Sequence, residues 1–301
     1  MSSNTRGVPP PEHPPENRAV HGRVEIAYER VGPPGGEPLL LIMGLSMQMH
    51  FWHDELVAEF VRQGFSPARF DNRDVGASTH LREVGVPSLP ALLAAPRRVA
   101  PYLVADMAGD AVAVLDALGW ESAHVLGVSM GGMIAQTVAI QHPHRVRSLT
   151  SMMSTPSPRI GRPSLTAAAA LAARPARSAD EAAERVVNTF RVIGSPAYPL
   201  DEDWLRAYGR RAYARGHSAS GARRQLAAIN ASPSRERGLR GVRVPTLVVH
   251  GEADPLVRLA GGKATAAAVP GARLVTYPGM GHNLPRELWS DVVGEVATLV
   301  R

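Results

Sequence analysis

Cysteine is absent from the 301-residue sequence. That excludes disulfides, thiolate nucleophiles and Cys-based metal sites, and it removes any argument for an oxidising compartment. Long apolar runs are also missing: no stretch approaches the roughly 20 residues that a membrane-spanning helix needs. The first 18 residues are polar and Pro-rich, without the apolar core of a signal peptide. A cytoplasmic protein that neither spans nor binds a membrane is the expectation. Lysine is nearly absent, with Lys263 alone, and the 33 basic residues against 27 acidic ones are therefore almost all arginine. These arginines are scattered among acids, and no alternation of basic and aromatic residues marks a nucleic-acid groove. Solvated helix faces account for them, and no nucleic-acid partner is expected.

What is present is enough for a sizeable core. Hydrophobic residues make up 45% and charged ones 20%, which excludes global disorder and fits one large α/β domain with an insertion. Residues 1–17 hold little that can be buried and read as a flexible Pro-rich tail. Val20 to Arg30 reads as a hairpin turning at His21-Gly22. Continuous apolar runs at Pro38 to Met43, Val125 to Val128 and Pro245 to His250 have the character of strands buried on both faces, and Val146 to Met152 reads as a further strand. Ala68 to Phe70 and Arg273 to Tyr277 are shorter strands. Helical patterns separate them, at Trp52 to Gln63, Val104 to Leu118, from Met133 onward, Val257 to Ala268 and Pro285 to Val300. Strands alternating with helices predict a mostly parallel central sheet, helices on both faces and right-handed crossovers.

Residues 155–235 interrupt this rhythm. They carry no strand signal and read as an all-helical insertion, with helices over Ser164 to Ala173, Ala179 to Ile193, Asp201 to Ala214 and Ser220 to Asn230. The expected division is a tail (1–17), an α/β core (18–154 and 236–301) and a helical cap (155–235). Thr79 to Tyr102, with four prolines, is a long connection of the kind that is usually functional or mobile.

The chemistry centres on Gly127-Val128-Ser129-Met130-Gly131, with Gly132 following. Gly-x-Ser-x-Gly by itself arises by chance. Here an apolar strand precedes it and a helical pattern follows, the context that a nucleophile on a sharp strand-to-helix turn requires. A serine hydroxyl needs a base, and histidine suits because its ordinary pKa lies near neutrality. An acid must then hold the imidazole in the productive tautomer. In open α/β sheets such groups collect beyond the C-terminal ends of the strands. His282, in the glycine-rich loop after the last strand, and Asp254, after the His250 strand, fit those places. His250 lies inside its apolar run and reads as a core residue or one supporting the site. Glu252 is the rival acid; Asp254 is preferred because Pro255 follows it and fixes a helix start. The other place for an acid, after Met153, offers only Ser154-Thr155-Pro156-Ser157. Oxyanion donors are expected from the backbone N–H of Met130 and of Leu45. No cofactor and no metal is called for.

By these residues the chain resembles the α/β-hydrolase superfamily from about Val20 to Val300. The pieces are the turn at Ser129, Asp71-x-Arg73-x-x-Gly76-x-Ser78, Gly251-Glu252-Ala253-Asp254 and Gly281-His282. Leu41-Ile42-Met43-Gly44-Leu45 with Trp52, and Asp71 to Gly76, look like the aclacinomycin methylesterase-like branch, in which Met-Gly replaces the more usual His-Gly. The resemblance implies a serine esterase acting on an apolar small-molecule ester through an acyl-enzyme, under a helical cap. Lactonase or cofactor-free perhydrolase chemistry would use the same triad, and a ligand-binding protein of the same fold is the non-enzyme alternative. Asn283-Leu284 lends no support to a carbon–carbon hydrolase, and a serine nucleophile argues against epoxide hydrolases and haloalkane dehalogenases. Eight of the ten methionines, among them Met43, Met47 and Met153, fall near strand C-termini. Either they form a soft apolar pocket or they fill the core.

Overall fold

A computed structural model describes residues 17–172, 174–216 and 218–300. The flexible tail expected over residues 1–17 lies outside them except for Asn17, which already opens the first strand. The eight strands are β1 (Asn17–His21), β2 (Val24–Arg30), β3 (Glu37–Ile42), β4 (Phe65–Phe70), β5 (Ala123–Val128), β6 (Val146–Met152), β7 (Thr246–Gly251) and β8 (Arg273–Tyr277). They form one sheet in the order β1-β2-β4-β3-β5-β6-β7-β8. β1 and β2 are antiparallel, and so are β2 and β4; every pairing from β4 to β8 is parallel. The hairpin turn is Gly22-Arg23, one residue later than expected, because Gly22 takes the positive φ of 60° and His21 still pairs with Val24. β4 begins three residues earlier than its apolar run. Pro67 sits inside it, and its carbonyl accepts from the N–H groups of Val31 and Gly32.

The helices are α1 (Asp54–Arg62), α2 (Leu89–Ala94), α3 (Pro96–Val99), α4 (Val104–Ala117), α5 (Met130–Gln141), α6 (Leu165–Leu171), α7 (Ala179–Ile193), α8 (Glu202–Gly216), α9 (Ala219–Ala231), α10 (Glu236–Leu239), α11 (Ala260–Ala268) and α12 (Trp289–Val300). The period-2 alternation of β3 divides the core. Leu40 and Ile42 face α4 and α5, with Met107, Val114, Ile134 and Val138. Leu39 and Leu41 face α1 and α12, with Val57, Phe60, Val292 and Val296. All eight of these helix residues are buried. Each large side chain so buried contributes roughly 1.5–3 kcal/mol relative to exposure, so the continuous apolar runs decide which strands are central.

Between β6 and β7 lie α6 to α10, with no strand among the described residues. Their own small core joins Ala167, Val187, Phe190, Ile193 and Leu205. Ser178 caps α7, accepting from Glu181 N–H, as the sequence suggests. α9 is capped by Ser218 rather than Ser220, since Ser218 Oγ accepts from Gly221 N–H at 3.0 Å. α11 starts at Ala260, not Val257: the Asp254 carboxylate accepts from the N–H groups of Leu256 and Val257 and holds them in a turn. No helix among the described residues is long and apolar enough to cross a membrane.

Candidate active site

Backbone strain marks the place. Among the described residues, four non-glycine residues have positive φ: Ser46 (61°), Asp74 (69°), Ser129 (57°) and Met153 (47°). One follows each of the adjacent parallel strands β4, β3, β5 and β6, at their C-terminal ends. Such residues persist only where the surroundings over-determine them, and they gather at functional sites.

Ser129 lies between β5 and α5 at φ 57°, ψ −119°. The turn is possible because its neighbours lack Cβ atoms. One added at Gly127 would lie 2.1 Å from the Gly131 carbonyl oxygen, and one at Gly131 would lie 2.1 Å from that of Ile42. Ser129 N–H donates to Met152 O at 2.9 Å, and Ser154 Oγ donates to Ser129 O at 2.7 Å. Ser154, which occupies the alternative acid position, thus braces the serine turn.

The three polar strand-end residues meet. Ser129 Oγ stands 3.0 Å from His282 Nε2, and His282 Nδ1 stands 2.7 Å from Asp254 Oδ2. With the ring hydrogen on Nδ1 donated to the carboxylate, Nε2 presents its lone pair to the serine hydroxyl. Asp254 and His282 are buried, at 4% and 8% exposure. The other carboxylate oxygen of Asp254 accepts from Leu256 and Val257 N–H at 2.8 and 2.9 Å, so the acid is held from both sides. His250 packs behind it. Its Nε2 donates to Val257 O at 2.7 Å, and burial lowers its pKa, which keeps it neutral. Glu252 is exposed and accepts from Thr276 Oγ1, away from the histidine.

The loop after β3 comes equally close. A Cβ on Gly44 would lie 3.2 Å from Ser129 Cβ, so the loop that carries Leu45 packs against the serine. Three side chains fasten this loop that sequence reading did not single out. Asn72 Nδ2 donates to Met43 O at 2.9 Å. Gln225 of α9, fully buried, accepts from Ser46 N–H through Oε1 at 2.8 Å and donates through Nε2 to Arg73 O at 2.8 Å. Tyr208 of α8 accepts from Gln48 N–H at 2.9 Å. The histidine loop is tethered likewise: His282 N–H donates to Ile193 O at 2.7 Å, and Gly281 N–H to Ser195 Oγ at 2.9 Å. Asn72 lay inside a motif already noted; an isolated glutamine or tyrosine in a helical run gives no sequence signal of this kind.

One cavity opens at His282, and a second lies on the far side of the loop after β3. The first, about 400 Å³, is lined by His282, Val128, Met43 and Met153 and by the rings of Trp52, Phe51, Phe190, Trp204 and Trp289. The second, about 410 Å³, runs from Leu45 to Gln48 into the space among α6 to α9. Of the methionines near strand ends, Met43, Met47 and Met153 line a cavity, whereas Met49, Met130, Met133, Met152 and Met280 are buried in the core. Both expectations for them therefore hold in part. Among the described residues no group of three or more His, Asp or Glu side chains has the arrangement of a metal site.

Residues 37–285 match the model of the α/β-hydrolase fold family. The chain belongs to that family. It is 30% identical to rhodomycin D methylesterase of Streptomyces peucetius over 95% of this chain and 98% of that protein. The methylesterase-like branch suggested by the loop after β3 is thus borne out. A putative carbamate hydrolase of a Caulobacter species is 29% identical, over 87% of this chain and 90% of its own length. Among solved structures, the enol-lactonase of Burkholderia xenovorans superposes with a TM-score of 0.73 at 23% identity, over 94% of this chain and 99% of that one. An esterase from Rhodococcus sp. ECU1013 does so with a TM-score of 0.73 at 21% identity, over 95% and 98%. These two likenesses concern the fold.

Proposed function

We propose that this α/β hydrolase is a serine carboxylic-ester hydrolase that works through an acyl-enzyme, with Ser129 as nucleophile, His282 as base and acid, and Asp254 as its anchor. The observation that carries the reading is the unbroken relay of 3.0 and 2.7 Å hydrogen bonds from Ser129 Oγ through His282 to Asp254. His282 Nε2 takes the hydroxyl proton as Oγ attacks the ester carbon. Asp254 stabilises the imidazolium that results. The carbonyl oxygen becomes an oxyanion, whose donors in this reading are the N–H groups of Leu45 and Met130, each such donor typically worth roughly 10²–10³ in rate. The tetrahedral intermediate collapses as His282 returns its proton to the departing alkoxide, which leaves as the alcohol. Water repeats the sequence on the acyl-enzyme and releases the acid.

The near full-length relationship to a methylesterase supports an ester over other acyl substrates. The aromatic walls of the first cavity suit an apolar or aromatic group on the ester. Helices α6 to α9 act as a cap that closes over the serine. Ser129→Ala should lower kcat on p-nitrophenyl esters by roughly 10⁴–10⁶ with circular dichroism unchanged. A loss of less than tenfold would favour a ligand-binding protein over an enzyme of this mechanism.

A further inference from the structure

The second cavity carries charge of one sign that the fold itself does not answer. α7 turns one stripe toward it: Ala182, Arg185, Val186 and Thr189, the spacing of a single helix face. Small residues on the facing helices, such as Gly209 and Ala212 of α8 and Ala222 of α9, keep the space open. Three arginines line it: Arg174, Arg185 and Arg223. The one carboxylate on its wall is Asp74, already saturated. It accepts from Arg224 Nε and Nη2 at 2.9 and 2.6 Å, from Tyr102 Oη at 2.8 Å and from Leu81 N–H at 2.9 Å.

Three arginines on the outer faces of α7 and α8 are answered, though among the described residues Arg211 of α8 is not. Arg191 pairs with Glu202, Arg206 with Glu184, and Arg210 with Asp180, at 2.7 Å in each case. Among the described residues no ion pair joins Arg174, Arg185 or Arg223 to a carboxylate. Arg185 is half-buried, and its Nη1 donates to a backbone carbonyl, Arg174 O, at 3.1 Å. Burial without a countercharge disfavours its cation, the direction its pKa takes. A half-buried, uncompensated guanidinium costs stability, and it sits on a mostly apolar wall whose Leu45 end follows Gly44, the residue packed against Ser129.

We infer that the second cavity is the acyl-chain site, and that it selects esters whose acyl half is an apolar body ending in an anionic oxygen group, bound by Arg185 with Arg174 and Arg223 at its rim. The direction follows from the proton transfers. His282, which must protonate the departing alkoxide, lines the first cavity. The alcohol half is therefore assigned to that cavity and the acyl half to the second, whose Leu45 end follows Gly44, the residue packed against Ser129. This assignment rests on the serine-esterase reading above.

The test is a series of mono-p-nitrophenyl esters of dicarboxylic acids from four to ten carbons, each paired with its neutral terminal amide. The expected result is a carboxylate-to-amide ratio of kcat/KM of about tenfold or more at one or more chain lengths. That ratio should fall as salt is raised. It should collapse toward one in Arg185→Gln and be partly kept in Arg185→Lys. Both rates come from one preparation, so a loss of folded enzyme cancels from the ratio. Arg223→Gln, at an exposed position, should lower the ratio less. No preference at any length, or a ratio unmoved by Arg185→Gln, would overturn the inference. Turnover of the amide series that Ser129→Ala abolishes would leave the esterase reading standing even then.

Discussion

The candidate site is held by two different parts of the molecule. Ser129 and Asp254 are fixed by the sheet: their backbone and carboxylate bonds go to Met152, Ser154, Leu256 and Val257, all next to strands β6 and β7. The loop after β3 and the histidine loop are fixed from the other side, by Gln225, Tyr208, Ile193 and Ser195, which belong to the helices between β6 and β7 or to their connections. The core strands and their ends therefore hold Ser129 and Asp254, whereas the inserted helices, together with Asn72, hold the loop after β3 and help to hold the histidine loop. Under the proposed mechanism these helices would do more than cover substrate; they would complete the geometry of the reacting groups.

This contrast can be broken from either side. The larger effect belongs to the sheet-held half. Asp254→Asn should reduce kcat by roughly 10³–10⁴ through loss of the productive imidazole tautomer. KM should change little, and steady-state ester hydrolysis measures both. A smaller but more telling effect belongs to the helix-held half. Gln225→Leu leaves Ser46 N–H and Arg73 O without their buried partner, and roughly 1–3 kcal/mol of desolvation falls on each. With the loop at Ser46 no longer pinned in its positive-φ conformation, kcat should fall about 10–100-fold while KM moves less than threefold. Gln225→Glu keeps the acceptor for Ser46 N–H and should recover part of that loss. If Gln225→Leu lowered the melting temperature and left kcat alone, the helices would be a lid and nothing more.

The same division explains what could be read from the sequence. β3, β5 and β7 hold nearly continuous apolar runs, so burial on both faces announced them. Ser129 and Asp254 were visible because each follows such a run, and His282 because it follows the last strand; all three lie in turns rich in glycine or proline. β4 was read short because Pro67 argues against a strand until its carbonyl and its parallel neighbours are seen. Gln225, Tyr208 and Arg185 were not visible at all. Each lies on an amphipathic helix whose facing partner is distant in the chain, as Gln225 is from Ser46, and periodicity cannot say which polar residue meets which loop.

The central claim is that the hydroxyl at position 129 is the attacking group. Intact-mass measurement after treatment with a fluorophosphonate, followed by peptide mapping, tests it most directly. The account predicts one covalent adduct per chain, on the peptide that carries Ser129, and none in Ser129→Ala. An adduct on another residue, or ester hydrolysis that persists at full rate in Ser129→Ala, would contradict it.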